Sequence, residues 1–229
     1  MDREPLAIGL PAAPDRTLHA VIFDCDGVMF DSWDANIRYY DAVLAALGRP
    51  PLDASGQRLA HVLSSPQLFA VLFGDDGDLM EQARIVAQTV DYGEFCRWMR
   101  PATGLYEVLA QLKPRYRLAM ATNRGATLPG VVRHFELAEW LEFVVGIHDV
   151  GRPKPHPDML VRCLEHFGLA ASQAVYVGDT DSDHAAARAA GMHFIACGDV
   201  AGASLRIRTL AELAPLLAAQ WPPATSVPA

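Results

Sequence analysis

Short apolar runs without strict alternation recur along the chain, at Ala20-Val21-Ile22-Phe23, Leu118-Ala119-Met120-Ala121, Phe143-Val144-Val145-Gly146-Ile147, Ala174-Val175-Tyr176-Val177 and Phe194-Ile195-Ala196-Cys197. A strand covered on both faces reads this way, because neither set of alternating side chains meets water. Residues 104–113, 127–139, 157–168 and 183–190 carry helical spacing instead, and Gly191 stands where the last of these would be capped. Buried strands alternating with helices predict an α/β fold with a doubly wound, Rossmann-like parallel sheet.

The interval between the first two runs breaks this rhythm, since residues 24–117 are far too many for one crossover. Within it Trp33, Ile37, Tyr40, Leu44 and Leu47 follow a helical repeat, as do Leu79, Ala83, Val86 and Val90. The spacing predicts an inserted α-helical domain over residues 33–99, which divides the core into residues 19–32 and 100–220. Residues 1–18, broken by proline and glycine, read as an N-terminal arm. Residues 221–229, rich in proline and small residues, read as a disordered tail.

Composition narrows the functional classes. The 229 residues are 51% hydrophobic and 20% charged, as in a soluble globular protein large enough to need no disulfide or structural metal. A net charge of −8 has the wrong sign for a protein that works by neutralising nucleic-acid or lipid phosphate. No apolar run approaches the ~18 residues of a membrane span, and the acidic start Met1-Asp2-Arg3-Glu4-Pro5 is unlike a targeting leader. Cys25, Cys96, Cys163 and Cys197 form no C-x-x-C pair and read as reduced core residues. A cytoplasmic protein is expected, without nucleic-acid or membrane partners and acting as a monomer or homodimer.

Several signatures are missing. The chain has no G-x-G-x-x-G, no Gly-Lys phosphate loop, no H-E-x-x-H and no Ser between glycines as a nucleophile elbow requires. Neither acidic cluster is a calcium loop, because Met29 and Ala35 follow Asp24, and His184 and Ala190 follow Asp179, where Gly and Glu are needed. What the chain does carry is a polar motif at the carboxyl end of each successive predicted strand, where ligands of parallel sheets gather. These are Asp24-Cys25-Asp26-Gly27-Val28, Thr122-Asn123-Arg124, Lys154 among prolines, and Gly178-Asp179-Thr180-Asp181-Ser182-Asp183. Singly each has a plain reading: an Asp-Gly turn, a helix cap, a solvated loop lysine, an acidic helix start. Their common position at four strand ends favours one site. If Asp24, Asp26, Asp179 and Asp183 converge, two carboxylates ~4 Å apart repel by about 4 kcal/mol at an effective dielectric near 20. Lys154 offsets one charge, and a hard divalent cation such as Mg²⁺ suits the all-oxygen remainder.

The four motifs in this order resemble the haloacid dehalogenase-like superfamily over roughly residues 19 to 212. The resemblance implies a movable helical cap on the core and hydrolysis of a small phosphorylated metabolite. It assigns Asp24 as nucleophile forming an aspartyl phosphate, and Asp26 as general acid and then base. Thr122 and Lys154 would hold the phosphoryl group, with Asn123 and Arg124 as further donors. Mg²⁺ would be bound by the Asp24 and Asp179 carboxylates and the Asp26 carbonyl, with Asp183 close behind. Asp26 favours phosphoryl transfer over halide expulsion, which needs no proton. The absence of lysine from Asp31 to Arg100 disfavours a phosphonate hydrolase with a cap Schiff base. Alternatives are a sugar phosphomutase of the beta-phosphoglucomutase type and a non-catalytic phosphate- or metabolite-binding domain. Arg38, Arg58, His61 and Arg84 are the candidate cap contacts, and the cap stretch Leu59–Gln67 lacks the Gly followed by Arg or Lys that many similar caps carry.

Overall fold

The computed structural model describes residues 17–222. The expected disordered tail therefore lies outside the described residues apart from 221 and 222, as does the arm apart from 17 and 18. In chain order the elements are β1 (Ala20–Phe23), β2 (Phe30–Asp31), α1 (Trp33–Ala46), α2 (Ala54–Val62), α3 (Ser65–Phe73), α4 (Gly77–Thr89), β3 (Arg100–Pro101) and α5 (Leu105–Leu112), then β4 (Arg117–Ala121), α6 (Leu128–His134), β5 (Phe143–Val145), α7 (Asp158–Phe167), β6 (Ala174–Gly178), α8 (Asp181–Ala190), β7 (His193–Cys197), β8 (Leu205–Ile207) and α9 (Leu213–Gln220).

Six strands form one parallel sheet in the order β5-β4-β1-β6-β7-β8, with β1 central between β4 and β6. Val21 and Phe23 point to a core shared with α5, α6 and α9, whereas Ala20 and Ile22 point to a second core built with α7 and α8. Both faces of β1 are thus dry, which is why its sequence is apolar throughout. The doubly wound class is as expected. Order reverses at β1, so the crevice at the carboxyl ends of β1, β4 and β6 is where such folds place ligands.

The insertion between β2 and β3 consists of α1 to α4 and two short turns. Pattern alone singled out the spans now seen as α1 and α4. The intervening α2 and α3 are shorter, and each is started by its own cap. Asp53 accepts from the Gly56 amide at 2.7 Å, and Ser64 pairs with Gln67 across the first turn of α3. The Leu59–Gln67 stretch is therefore two helix ends around a break at Leu63 and Ser64. Tyr39, Tyr40, Tyr92 and Phe95 interlock edge to face inside the insertion. The insertion leaves and rejoins the core through β2 and β3, paired antiparallel with Phe30 opposite Pro101 and Asp31 opposite Arg100.

Two further differences have local causes. The helix expected over 127–139 stops at His134, because Glu136 adopts a left-handed backbone at φ 52° and Leu137 turns back into the core. The sheet also gains β8, too short to be recognised by periodicity, and a final helix, α9, that seals one face. Among the described residues no helix is long and apolar enough to cross a membrane, and the four cysteines are free thiols.

Candidate active site

Each strand of the central trio delivers its motif into one crevice because the chain leaves β1, β4 and β6 at the same end. The Asp24 amide donates to the Val177 carbonyl at 2.9 Å, continuing the ladder one residue past β1. The chain then doubles back, with the Met29 and Phe30 amides both donating to the Cys25 carbonyl. That turn needs Gly27. Its φ is +75°, and a Cβ there would fall 1.8 Å from Asp179 Oδ2. Gly178 is required for similar reasons of space, since a Cβ would lie 2.4 Å from that of Asp183. Gly27 thus lets the two carboxylate-bearing loops touch, and Gly178 lets the start of α8 lie close against the end of β6.

Lys154 enters from the loop after β5 and is 4% exposed. Its Nζ lies 2.7 Å from Asp183 Oδ1, 2.9 Å from the Tyr176 hydroxyl and 2.8 Å from Asp24 Oδ1. The last contact is an ion pair whose angle falls outside hydrogen-bond geometry. Asp179 Oδ1 is a buried oxygen with no hydrogen-bond donor among the described residues, and the Lys154 ammonium is what stands beside the buried Asp24 Oδ1. Oxygens of Asp24, Asp179 and Asp183 come within 4.8 Å of one another. Buried oxygens left without donors beside like charge are the expected mark of a cation position.

Asp183 differs from its two neighbours. Oδ1 accepts from Lys154 and Tyr176, and Oδ2 accepts from the Thr180 amide and hydroxyl at the start of α8. Both of its oxygens are engaged by protein donors, so its evident work is to hold Lys154 in place. Asn123 likewise spends its amide on the backbone of Lys154, donating to its carbonyl at 3.3 Å and accepting from its N–H at 3.0 Å. Thr122 is 1% exposed and lines the crevice beside them.

Arg124 is the largest departure from expectation. Instead of a free donor in the crevice, its buried guanidinium forks onto Asp26, with Nε 2.8 Å from Oδ2 and the second contact on Oδ1. The same guanidinium donates to Asn36 Oδ1 and the Tyr92 hydroxyl, both from the insertion and both at 3.1 Å. Ser32 adds a short hydrogen bond to Asp26 Oδ1. Sequence reasoning missed Asn36, Tyr92 and Tyr176. Nothing in their spacing sets them apart from core positions, and only the fold brings them to the acids.

Burial and charge act together on the acids. Burial pushes the Asp24 carboxyl up to about 8, with Asp183 and Asp179 adding to the rise and Lys154 opposing it. Asp179 is pushed up to about 7, first by burial and then by Asp183. Burial would raise Asp26 too, but Arg124 and Ser32 outweigh it and hold that carboxyl below its ordinary range. For Lys154 burial works against the charge, and Asp183 and Asp24 more than restore it.

The insertion roofs this crevice. The resulting chamber of about 310 Å³ is lined by Asp24, Asp26, Thr122, Lys154 and Asp179 from the core and by Asn36, Tyr39, His61 and Ser65 from the insertion. Of the four candidate cap contacts, His61 reaches this chamber, and Arg84 lines a neighbouring one. Arg38 lies against the Trp98 ring instead, and Arg58 is exposed to solvent.

A doubly wound α/β core whose first strand presents two acids, opposed by a lysine and a second acidic loop under a helical roof, defines a class of hydrolases. Residues 21–197 match the haloacid dehalogenase-like hydrolase family, and the chain belongs to it. An N-acetylmuramic acid 6-phosphate phosphatase of Pseudomonas aeruginosa is 30% identical over 180 residues, spanning 76% of this chain and 79% of its own length. A phosphoglycolate phosphatase of Chromobacterium violaceum is 28% identical over 221 residues, spanning 88% and 97%. A HAD-superfamily hydrolase of subfamily IA from Geobacter sulfurreducens, known from its crystal structure, is 37% identical with a TM-score of 0.72, covering 87% of this chain and 96% of that one.

Proposed function

We propose that this hydrolase is a phosphatase that cleaves a small phosphate monoester through an aspartyl phosphate on Asp24, with Mg²⁺ as cofactor. The observation that carries this reading is Asp24 itself: a buried carboxyl at the end of β1, with Oδ1 2.8 Å from the fixed Lys154 ammonium and two residues before a second acid. The phosphatase names of two relatives support it.

In the first half-reaction an Asp24 oxygen attacks phosphorus, the bond from phosphorus to the ester oxygen breaks, and the departing alkoxide takes a proton from Asp26. Lys154 and Thr122 hold the phosphoryl oxygens as charge moves onto them. In the second half-reaction water attacks phosphorus, Asp26 accepts the water proton, and the bond from phosphorus to Asp24 breaks to release phosphate. Asp24, Asp179 and the Asp26 carbonyl would hold Mg²⁺, while Asp183 acts on the site through Lys154. Bound there, the ion supplies positive charge against the phosphoryl oxygens. The Arg124 fork keeps Asp26 in the ionised form that suits the second half. The first half needs a proton on Asp26 and hence its release from Arg124. Asn36 and Tyr92 bind the same guanidinium, so movement of residues 33–99 as a cap over core residues 19–32 and 100–220 reaches Asp26 directly. A cytoplasmic setting goes with this reading and with the reduced cysteines.

The test is an acid-quenched burst assay with intact-mass detection, using an activated aryl phosphate and Mg²⁺. Wild type and Asp26→Asn should show one added phosphoryl group, with Asp26→Asn stalling there and turning over about 10²–10⁴-fold more slowly. Asp24→Asn should show neither adduct nor turnover. An adduct on Asp24→Asn would reverse the two roles. Transfer to a second hydroxyl of a sugar phosphate faster than to water would make the enzyme a mutase.

A further inference from the structure

We infer that a second chamber, which shares a wall with the catalytic one, receives the organic part of the substrate, and that this part is an uncharged, mainly apolar alcohol about the size of a naphthyl group. The inference rests on the phosphatase reading above.

The chamber measures about 280 Å³ and lies between the insertion and the loops that follow β4 and β5, with Pro66, Phe69, Met80 and Ile147 in its wall. Tyr39, Ser65, Gly125 and Thr127 line both chambers, so the two share a wall. That wall adjoins the Arg124 and Asp26 pair. Thr127 accepts from Arg124 at 3.3 Å, and Arg124 holds Asp26, the acid that protonates the leaving group. A phosphoryl group on Asp24 and Lys154 with its ester oxygen toward Asp26 therefore directs its organic part this way.

The chemistry of the wall decides what fits. Its inward polar groups already have partners. The Tyr39 hydroxyl donates to the Ala87 carbonyl at 2.7 Å, and Ser65 pairs with the Tyr40 hydroxyl at 2.8 Å. Glu81, Arg84, Gln88 and His148 are exposed at the rim, where Arg84 forks onto Glu81 at 2.6 and 2.7 Å. A sugar or a carboxylate placed here would leave its hydration shell and find few groups free to replace it. An apolar group loses nothing polar and covers Phe69, Met80 and Ile147. An apolar cavity of about 150 Å³ accommodates benzene, so about twice that volume suits two fused rings.

The test compares three esters on the full chain with Mg²⁺: 2-(2-naphthyl)ethyl phosphate, ethyl phosphate and 2-phosphoglycolate. The first two release primary alkoxides of similar basicity, so their difference reports the chamber rather than the leaving group. The naphthylethyl ester should exceed ethyl phosphate by about 100-fold in kcat/KM, mostly through KM. In parallel, calorimetry follows binding of 2-(2-naphthyl)ethanol in the presence of inorganic phosphate. Ala126→Trp and Met80→Trp, which fill the chamber from opposite sides, should both remove that binding while circular dichroism shows a folded chain. Equal kcat/KM for the two alkyl esters with no binding of the alcohol, or a preference for phosphoglycolate, would overturn the inference and leave the phosphatase reading standing. Alcohol binding that both fillings abolish, in a chain that hydrolyses none of the esters, would uphold the chamber and overturn the phosphatase reading.

Discussion

Lys154 is buried against two acids, and its removal tests how the site is held together. In Lys154→Met the side chain keeps its length, but Asp24 and Asp183 lose the ammonium 2.8 and 2.7 Å away. Breaking a buried ionic cluster by deleting one partner costs about 3–5 kcal/mol, and urea denaturation should show a loss of that size at neutral pH. Mg²⁺ should recover part of it, since a cation near Asp24 and Asp179 relieves the same repulsion. Thr180 is a second point of control. Its side chain caps α8 and also donates to Asp183, so Thr180→Ala should cost about 1–2 kcal/mol and lower turnover, whereas Thr180→Ser should restore both. A variant that lost stability with unchanged turnover would separate the cap from the site.

At the level of elements, the insertion communicates with the core through few strands and one guanidinium. The pair β2 and β3 is two residues long on each side, which suits bending at Asp31–Trp33 and Met99–Ala102. Asn36 and Tyr92 reach Arg124 across this junction, and Ser32 at its edge reaches Asp26. If the insertion closes as a unit, vanadate with Mg²⁺ should slow amide exchange in α1 and α3, which contribute Asn36, Tyr39 and Ser65 to the chamber, and leave the outer face of α4 unchanged. Unchanged exchange throughout the insertion at saturating vanadate would exclude a moving cap. Tyr92→Phe removes one of Arg124's acceptors without opening a cavity, and should alter kcat more than KM if release of Asp26 accompanies closure.

For the whole molecule, the site is a load that the two cores carry. Several carboxylates crowd one end of the sheet while Val21, Phe23, Ile22 and Tyr176 behind them are fully buried. A cation that binds the folded chain and not the unfolded one stabilises it by about 2.7 kcal/mol at a hundred times its Kd, which corresponds to roughly 5–10 °C in Tm for a chain of this size. Calorimetry should show that rise with Mg²⁺ and its reversal by chelator. It should be absent in Asp179→Asn, which keeps the shape of the site and removes a ligand charge.

Much of this architecture is written locally. Continuous apolar runs announce β1, β4 and β6 because a strand dry on both faces has no polar positions; Asp24, Thr122 and Asp179 are legible because each stands where such a run ends, and Lys154 because it lies in the proline-rich loop after the run of β5. The length between the first two runs implies the insertion by itself. Other features depend on distant partners. Nothing near Arg124 in sequence says that it will fork onto Asp26, some ninety-eight residues earlier, because that contact exists only once β1 and β4 pair. Tyr92 and Asn36 join them only when the insertion folds back over the sheet. The second chamber has no sequence signature at all, since Phe69, Met80 and Ile147 look like ordinary core residues until the insertion and the β5 loop face each other. Periodicity and strand-end motifs are set by neighbours within a few residues, so the sequence by itself determined the class of fold and the acids of the candidate site. Which groups clamp those acids, and what space lies beside them, are matters of long-range packing that only the tertiary structure decided.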